Sequence, residues 1–351
     1  MSEGAGTSES QINRNRWIRT DVILLVLAAA VFVWLTSDVL LLVFAGILLA
    51  VGLDGLACGL ARHSPLSRGS SMLVTLVLIL AFVFLVGRLV IPQFLEQLDE
   101  MWRQLVEFVE ARAEQLQEYG WAEQVVGGDN GEGQMADAAG AAAEQAARAT
   151  MAVFGAIASL IILVPLTLFV AGNPELYRQG ALQLLPPGTR ERVDTTLSSI
   201  AYALRWWFLG QLVSMALLGI TVSAGLFLLG IELWLGLGVL TALLTFIPFL
   251  GPLIAAVPIA IVGFTEGMQT GLIVLAFYLA VQNIEGNFIV PMIQHKAVNL
   301  APALFIAIQV LMGILFGAVG LILAAPLTVV GMVAVQKLWI EYTLGETTSA
   351  L

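Results

Sequence analysis

The sequence predicts an all-α polytopic membrane protein with about six full transmembrane helices, two re-entrant helical hairpins (eight membrane segments) and an extracytoplasmic amphipathic helix. Three observations lead there. Apolar residues make up 59% of the 351 residues and charged residues only 11%, against roughly a quarter charged in soluble domains; mean hydropathy is +0.93. Apolar runs sized for spans of about 20 residues consume most of the chain, leaving no room for a separate soluble catalytic domain. Two further runs, about 233–264 and 301–336, are too long for one crossing and are broken by proline and glycine. Cys58 is the only cysteine, which excludes an intrachain disulfide and a cysteine metal cluster.

Residues 1–20 are polar and carry Arg14, Arg16 and Arg19. Val22 to Leu35 is not followed by a small-residue cleavage site, so it reads as a retained first span. Val39 to Ala57 is the second, interrupted late by Gly52, Asp54 and Gly55, and Ser71 to Ile91 the third. Arg62, His63 and Arg68 lie between them. Basic residues collect on the cytoplasmic side, so the N-terminus and this loop are expected inside and the turn Thr36 to Asp38 outside. Residues 21–91 thus form one group of three spans.

Residues 92–146 differ in character. Phe94, Leu98, Met101, Leu105 and Phe108 recur at steps of three and four among charged residues, the pattern of an amphipathic helix over Pro92 to Gln117. Gly127 to Gly140 has the Gly-rich, acidic composition of a loop. Twelve carboxylates against three arginines between Glu96 and Arg148 account for nearly all of the formal net charge of −10. The segment is expected outside.

From 147 onward the chain reads as the functional region. Ala152 to Ala171 is a fourth span containing Pro165. Pro186-Pro187-Gly188-Thr189 is a turn leading into a helix from Arg190, Trp206 and Trp207 mark an interface, and Phe208 to Leu229 is a fifth span carrying Gln211. As one helix, Leu233 to Phe264 would reach about 48 Å, far beyond a hydrocarbon core of about 30 Å. Turning back at Pro248 to Pro252 gives two shorter arms, makes Gln269 to Ile289 an inward span, and puts His295 and Lys296 in the cytoplasm. Ala301 to Val335, folded about Gly317 to Gly320, then opens inside and leaves Lys337 and the C-terminus there. Two single crossings are the competing reading, and they would put His295 and Lys296 outside.

Gln282-Asn283-Ile284-Glu285-Gly286-Asn287 is the densest polar cluster in any apolar run. Helical spacing sets Gln282 beside Glu285 and Asn283 beside Asn287, as two adjoining stripes. A carboxylate at membrane depth is costly and faces protein or water, so Glu285 is a candidate functional residue; the alternative is that it lies near the interface and only hydrogen-bonds a neighbouring helix. Gln211, Gln309 and Thr245 are weaker candidates, because single amides and hydroxyls in spans often only join helices. Gly313 with Gly317 is a small-residue pair suited to close packing. No nucleotide-binding loop and no metal-ligand spacing appears.

Ile247 to Pro252 (IPFLGP), Gln282 through Glu285 with Asn287 and Pro291, Gly313 to Leu327 (GILFGAVGLILAAPL) and Arg205 with Gly210-Gln211 together resemble the autoinducer-2 exporter (AI-2E, PerM-like permease) family. The resemblance is strong over Ala201 to Val335 and weak before Pro165, and the long insert near Gly127 departs from compact members. It implies a non-enzymatic, multi-pass inner-membrane transporter with an elevator-type mechanism and homopentameric members, linked to quorum sensing. The expected partners are the lipid bilayer, a small polar solute and further copies of the chain, with no nucleic acid. No cofactor is expected beyond coupling to H+ or Na+. The expected substrate-binding residues are Gln282, Glu285, Asn287, Pro248, Gly251, Pro252, Gly317, Gly320 and Gln211. A Na+(Li+)/H+ antiporter and a non-transporting membrane scaffold are the alternatives.

Overall fold

The fold was read from a computed structural model, which describes residues 31–89, 162–289 and 302–345 together with 28 and 92. The amphipathic helix, the Gly-rich loop and His295–Lys296 lie outside the described residues. Within them the chain is all helical: α1 Ser37–His63, α2 Arg68–Leu89, α3 Ile162–Gly172, α4 Pro174–Gln183, α5 Pro187–Leu228, α6 Trp234–Thr245, α7 Leu250–Thr265, α8 Met268–Ile284 with a π-helical turn Glu285–Ile289, and α9 Pro302–Ala334 with a second such turn Val335–Glu341. Ser37–Arg62, Pro187–Leu228 and Ala303–Glu341 are long and apolar enough to cross a membrane. Many large apolar side chains face outward, Phe82, Phe84, Phe169, Leu253 and Ile314 among them. In water such a surface would be untenable, but against lipid it is the solvated face.

Helix α1 corrects one expectation. Gly52, Asp54 and Gly55 do not interrupt it; the helix runs on to His63. They serve its packing against α5 instead. A side chain at Gly52 would meet the Phe208 ring at 2.4 Å, and one at Gly55 would crowd Arg205.

Helix α5 organises the rest. Its 42 residues rise about 63 Å, twice a bilayer core. It begins three residues before the expected Arg190, at Pro187, where proline's missing donor costs nothing. Arg178 of α4 donates to Asp194 of α5 at 2.6 Å, a bond that also pushes the Arg178 pKa further up. Trp207 is buried against Phe246, which corrects its reading as an interface marker; Trp206, one residue earlier, is exposed. At the far end Gly230 N–H reaches Phe227 C=O and Ile231 N–H reaches Leu226 C=O, with Gly230 at φ +78°. That is a Schellman stop, which requires the left-handed residue to be glycine.

Two chain reversals follow. Helices α6 and α7 have 12 and 16 residues, so each reaches only about 18–24 Å, less than a crossing. Gly251 shows that they fold back on each other. Seven residues along a straight helix is about 10 Å, yet a Cβ on Gly251 would lie 1.7 Å from the Leu244 carbonyl oxygen. The reversal occupies Phe246–Phe249, slightly earlier than Pro248–Pro252, and Pro252 already sits in the first turn of α7, where no N–H is needed. The second reversal lies inside α9, where Gly317 is non-helical (φ 63°, ψ −150°). A Cβ on Gly320 would sit 2.3 Å from the Met312 carbonyl oxygen, and one on Gly313 3.6 Å from the Leu321 side chain. In a straight helix those pairs would stand about 12 Å apart. The apolar stretch Ala303–Glu341 is therefore two arms, not one rod.

The core divides along α5. Its C-terminal half (Leu218, Val222, Leu226) packs with Leu237, Ala255, Ile259, Val274 and Tyr278 of α6 to α8. Its N-terminal half (Ala203, Leu204, Trp207, Phe208) packs with Leu41 and Leu48 of α1 and with Leu323, Ala325, Val329 and Val333 of the α9 return arm. Small residues let backbones approach: Gly219 meets Ala242, Gly238 meets the Ser223 backbone, and Gly263 meets Gly271.

Gly251→Ala should lower stability by about 1–3 kcal/mol, since its methyl group overlaps backbone. Gly331→Ala, with open space around it, should be neutral or slightly stabilising. Thermal unfolding of detergent-solubilised protein checks both.

Candidate functional site

The first reversal is a short turn in which few backbone groups can satisfy one another. Phe246 and Ile247 N–H close back on Leu243 and Leu244 C=O, and Leu250 N–H reaches Pro248 C=O at 2.8 Å across Phe249. Phe249 has φ 64° and ψ −54°, a γ-turn geometry that is rare and strained for a residue with a side chain. Its ring packs on Phe305 of α9, 5.7 Å between centroids.

Two side chains from other helices donate to carbonyls that flank the turn. Gln211, near the middle of α5 and 5% exposed, donates its Nε2 to the Thr245 carbonyl at the end of α6. Tyr278 of α8 donates its hydroxyl to the Pro252 carbonyl at 2.7 Å. Thr245 Oγ1 is itself bonded to Thr241 C=O, and Thr241 Oγ1 to Leu237 C=O. The turn is thus held from two sides by hydrogen bonds in apolar surroundings, where losing one is expensive.

Tyr278 also connects the turn to the polar end of α8, because Gln282 lies within side-chain hydrogen-bond reach of its hydroxyl and Glu285 within Coulombic reach. Glu285 is 8% exposed and opens the π-helical turn, a geometry that often marks functional positions. Gln282 Nε2 is buried and faces the Tyr278 hydroxyl. A buried amide donor beside a buried carboxylate and an exposed backbone turn can bind a small polar solute that carries hydroxyl or carbonyl groups.

The remaining candidates are distributed as follows. Pro248 lies in the first turn, Gly251 and Pro252 open α7 just after it, and Gln211 reaches it from α5; Tyr278 links it to Gln282 and Glu285. Asn287 lies on the other stripe and is exposed, donating to Asn283 C=O at 3.0 Å; Asn283 donates to Leu279 C=O. Gly317 and Gly320 form the second turn, where Phe316 packs on Trp34 at 5.8 Å. Phe305, the α9 residue touching the first turn, stands most of an arm ahead of Gly317. Ring contacts therefore join the first turn to the α9 arm and the second turn to Trp34, just ahead of α1. Gln309, halfway along that arm, is fully buried, and neither of its amide atoms has a partner among the described residues.

Tyr278 was not among the sequence candidates. The signal was there: it precedes Gln282 by one helical turn, on the stripe that also carries Glu285. The pair Asp54–Arg205, with Arg205 Nη1 3.7 Å from Asp54 Oδ2, was likewise missed as a pair because 150 residues separate its members in the chain.

A broken helix whose free carbonyl is met by a side chain, near a buried carboxylate in a multi-pass apolar protein, is an arrangement found in the transport class of membrane proteins. The chain matches the model of the AI-2E family transporter over residues 22–339, and it belongs to that family. It is 30% identical to YueF of Bacillus subtilis (strain 168), named as a candidate transport protein, over 50% of this chain and 48% of YueF. It thus spans about half the length of that relative. It is 28% identical to the candidate transport protein MT0215 of Mycobacterium tuberculosis (strain CDC 1551 / Oshkosh) over 90% of this chain and 88% of that one. The AI-2 transport protein TqsA of Escherichia coli (strain K12) is 34% identical over 28% of this chain and 29% of TqsA.

Gln211→Leu should cost about 1–3 kcal/mol by leaving the Thr245 carbonyl buried and unpaired, and Tyr278→Phe about 1 kcal/mol. Unfolding midpoints in detergent, compared with an exposed control such as Gln179→Leu, read out both.

Proposed function

We propose that the chain is a secondary membrane transporter of a small polar solute of the autoinducer-2 type. The solute binds between the first turn, Phe246–Pro252, and the Gln282–Glu285 end of α8. The single observation that carries this reading is that Gln211 and Tyr278 donate to carbonyls on either side of a helix break, and Tyr278 in turn faces the buried Gln282 amide and lies within Coulombic reach of the buried Glu285. Autoinducer-2 is rich in hydroxyl groups, which suits such a set of donors and acceptors. The name of the relative TqsA supports that substrate class.

In this proposal the first turn and the Gly317 turn of α9 are the ends of two re-entrant hairpins. Hairpins, α8 and solute move together against α1 to α5 in an elevator-type cycle, with Glu285 coupling flux to a proton or cation gradient. Asn287 belongs to the polar path beyond the site. The orientation proposed places N- and C-termini in the cytoplasm of an inner-membrane protein, export as the direction of transport, and a homo-oligomer, pentameric as in some family members, as the working unit.

Vesicles reconstituted with the protein and offered autoinducer-2 and Na+ in parallel test the substrate. Expected is uptake or release of the organic solute, lost in Glu285→Gln with folding and oligomer size unchanged. Sodium exchange without solute flux would overturn it. Topology is tested in a Cys58→Ser background: a cysteine introduced by His295→Cys should react with membrane-impermeant thiol reagents only from the cytoplasmic side.

A further inference from the structure

A second polar feature lies away from the turns. Between α1, α3, α4 and α5 a cleft of about 320 Å3 is lined by Ala50, Val51, Asp54, Ala171, Tyr202 and Arg205, among others. That volume falls in the range of small-molecule sites, about 300–1,000 Å3. Its charged floor is the Arg205–Asp54 pair. Arg205 Nη1 stands 3.7 Å from Asp54 Oδ2, and Nη2 reaches Gly55 C=O at 3.5 Å. Both contacts are long for a guanidinium, which prefers about 2.7–2.9 Å to an anionic oxygen. Both side chains remain about a third exposed. The opposite charges are close enough to attract without forming a tight fork, and Asp54 has a further contact of its own.

Depth along the membrane follows from α5. Between Pro187 and Arg205 it carries Arg190, Glu191, Arg192, Asp194 and Arg205; from Trp206 to Leu228 it carries no charge. Arg205 is the last charge before the apolar stretch, so the cleft lies at headgroup level. Tyr202 and Trp206, exposed and 6.2 Å apart edge to face, mark the same level, as amphipathic aromatic rings do at membrane interfaces. The other walls, Ala50, Val51, Val170 and Ala171, are apolar.

We propose that this cleft binds the headgroup of a zwitterionic phospholipid of the phosphoethanolamine type. The phosphate lies on Arg205, the primary ammonium lies on Asp54, and the glycerol and acyl start run along the apolar wall. A cation and a carboxylate held just apart match a ligand that carries both charges a few bonds apart. A purely anionic headgroup would meet Asp54 repulsively, and a bulky quaternary ammonium could not donate hydrogen bonds to it. Arg205 is also the residue against which Gly55 of α1 packs, so a lipid here would bridge α1 and α5.

Native mass spectrometry of the full chain in detergent, titrated with phosphatidylethanolamine, phosphatidylglycerol and phosphatidylcholine, tests the assignment. Expected is at least threefold more bound phosphatidylethanolamine than either competitor. Asp54→Asn should erase that preference while leaving phosphatidylglycerol binding equal or stronger. Arg205→Gln should weaken all three, and Arg205→Lys should restore phosphatidylethanolamine binding in part. Each variant is compared at matched unfolding temperature, and Glu175→Gln at the nearby surface serves as a charge control with no effect. Equal binding of the three lipids, or a preference that survives Asp54→Asn, overturns the proposal. Displacement of the lipid by equimolar soluble glycerophosphoethanolamine would show that the site reads a free metabolite and would overturn the lipid assignment.

Discussion

A carbonyl freed at membrane depth has to find a donor, and this requirement shapes the structure around the first reversal. Water is not at hand in lipid, and an unsatisfied backbone group there costs several kcal/mol. Thr245, at the C-terminal end of α6, presents such a carbonyl and takes its donor from Gln211; Pro252, in the first turn of α7, accepts the Tyr278 hydroxyl in addition to its helical bonding. Neither donor could arrive without a rigid carrier. Helix α5 is long and uninterrupted, so Gln211 stands at the level of the turn. Helix α8 returns closely enough along α7 to bring Tyr278 to Pro252, because Gly263 and Gly271 let the two backbones nearly touch. The Trp207–Phe246 and Phe249–Phe305 ring contacts then close the apolar sides of the same turn.

The reversals differ in how they are made. The second uses Gly317, for which a positive φ carries no steric cost. The first places Phe249 in a conformation that glycine would adopt readily and phenylalanine does not. The ring is nonetheless needed there, since it is what touches α9. A strained turn held by two hydrogen bonds and two ring contacts is a small, discrete element set among well-packed helices. A solute that offered its own donors to Thr245 and Pro252 would compete with Gln211 and Tyr278 for the same oxygens.

Helix α5 also joins regions that the sequence keeps far apart. Arg205, facing the cleft with Asp54, and Gln211, facing the turn, stand about 9 Å apart along its axis. Between them, Trp207 and Phe208 are buried against the α9 return arm and α1. A change at the cleft that shifted α1 against α5 would therefore bear on the same packed layer that positions the turn.

The membrane class, the second and third apolar helices, the two breaks and the polar end of α8 were legible in the order of residues, because burial in lipid imposes length and composition locally. Prolines and glycines report a break wherever they fall, and a glutamate in an apolar run is conspicuous by cost alone. Which carbonyl each amide would meet was not legible. Gln211 and Thr245, like Asp54 and Arg205, are distant in sequence, and nothing local distinguishes an amide that joins helices from one that braces a turn. Gly52 and Gly55 looked like interruptions because their function, admitting Phe208 and Arg205, exists only once α5 is in place. Trp207 looked like an interface marker for the same reason. Sequence by itself determined where the chain must enter apolar surroundings and where its helices must break. Only the tertiary structure decided what meets those breaks, since hydrogen bonding in lipid is settled by which helices lie side by side.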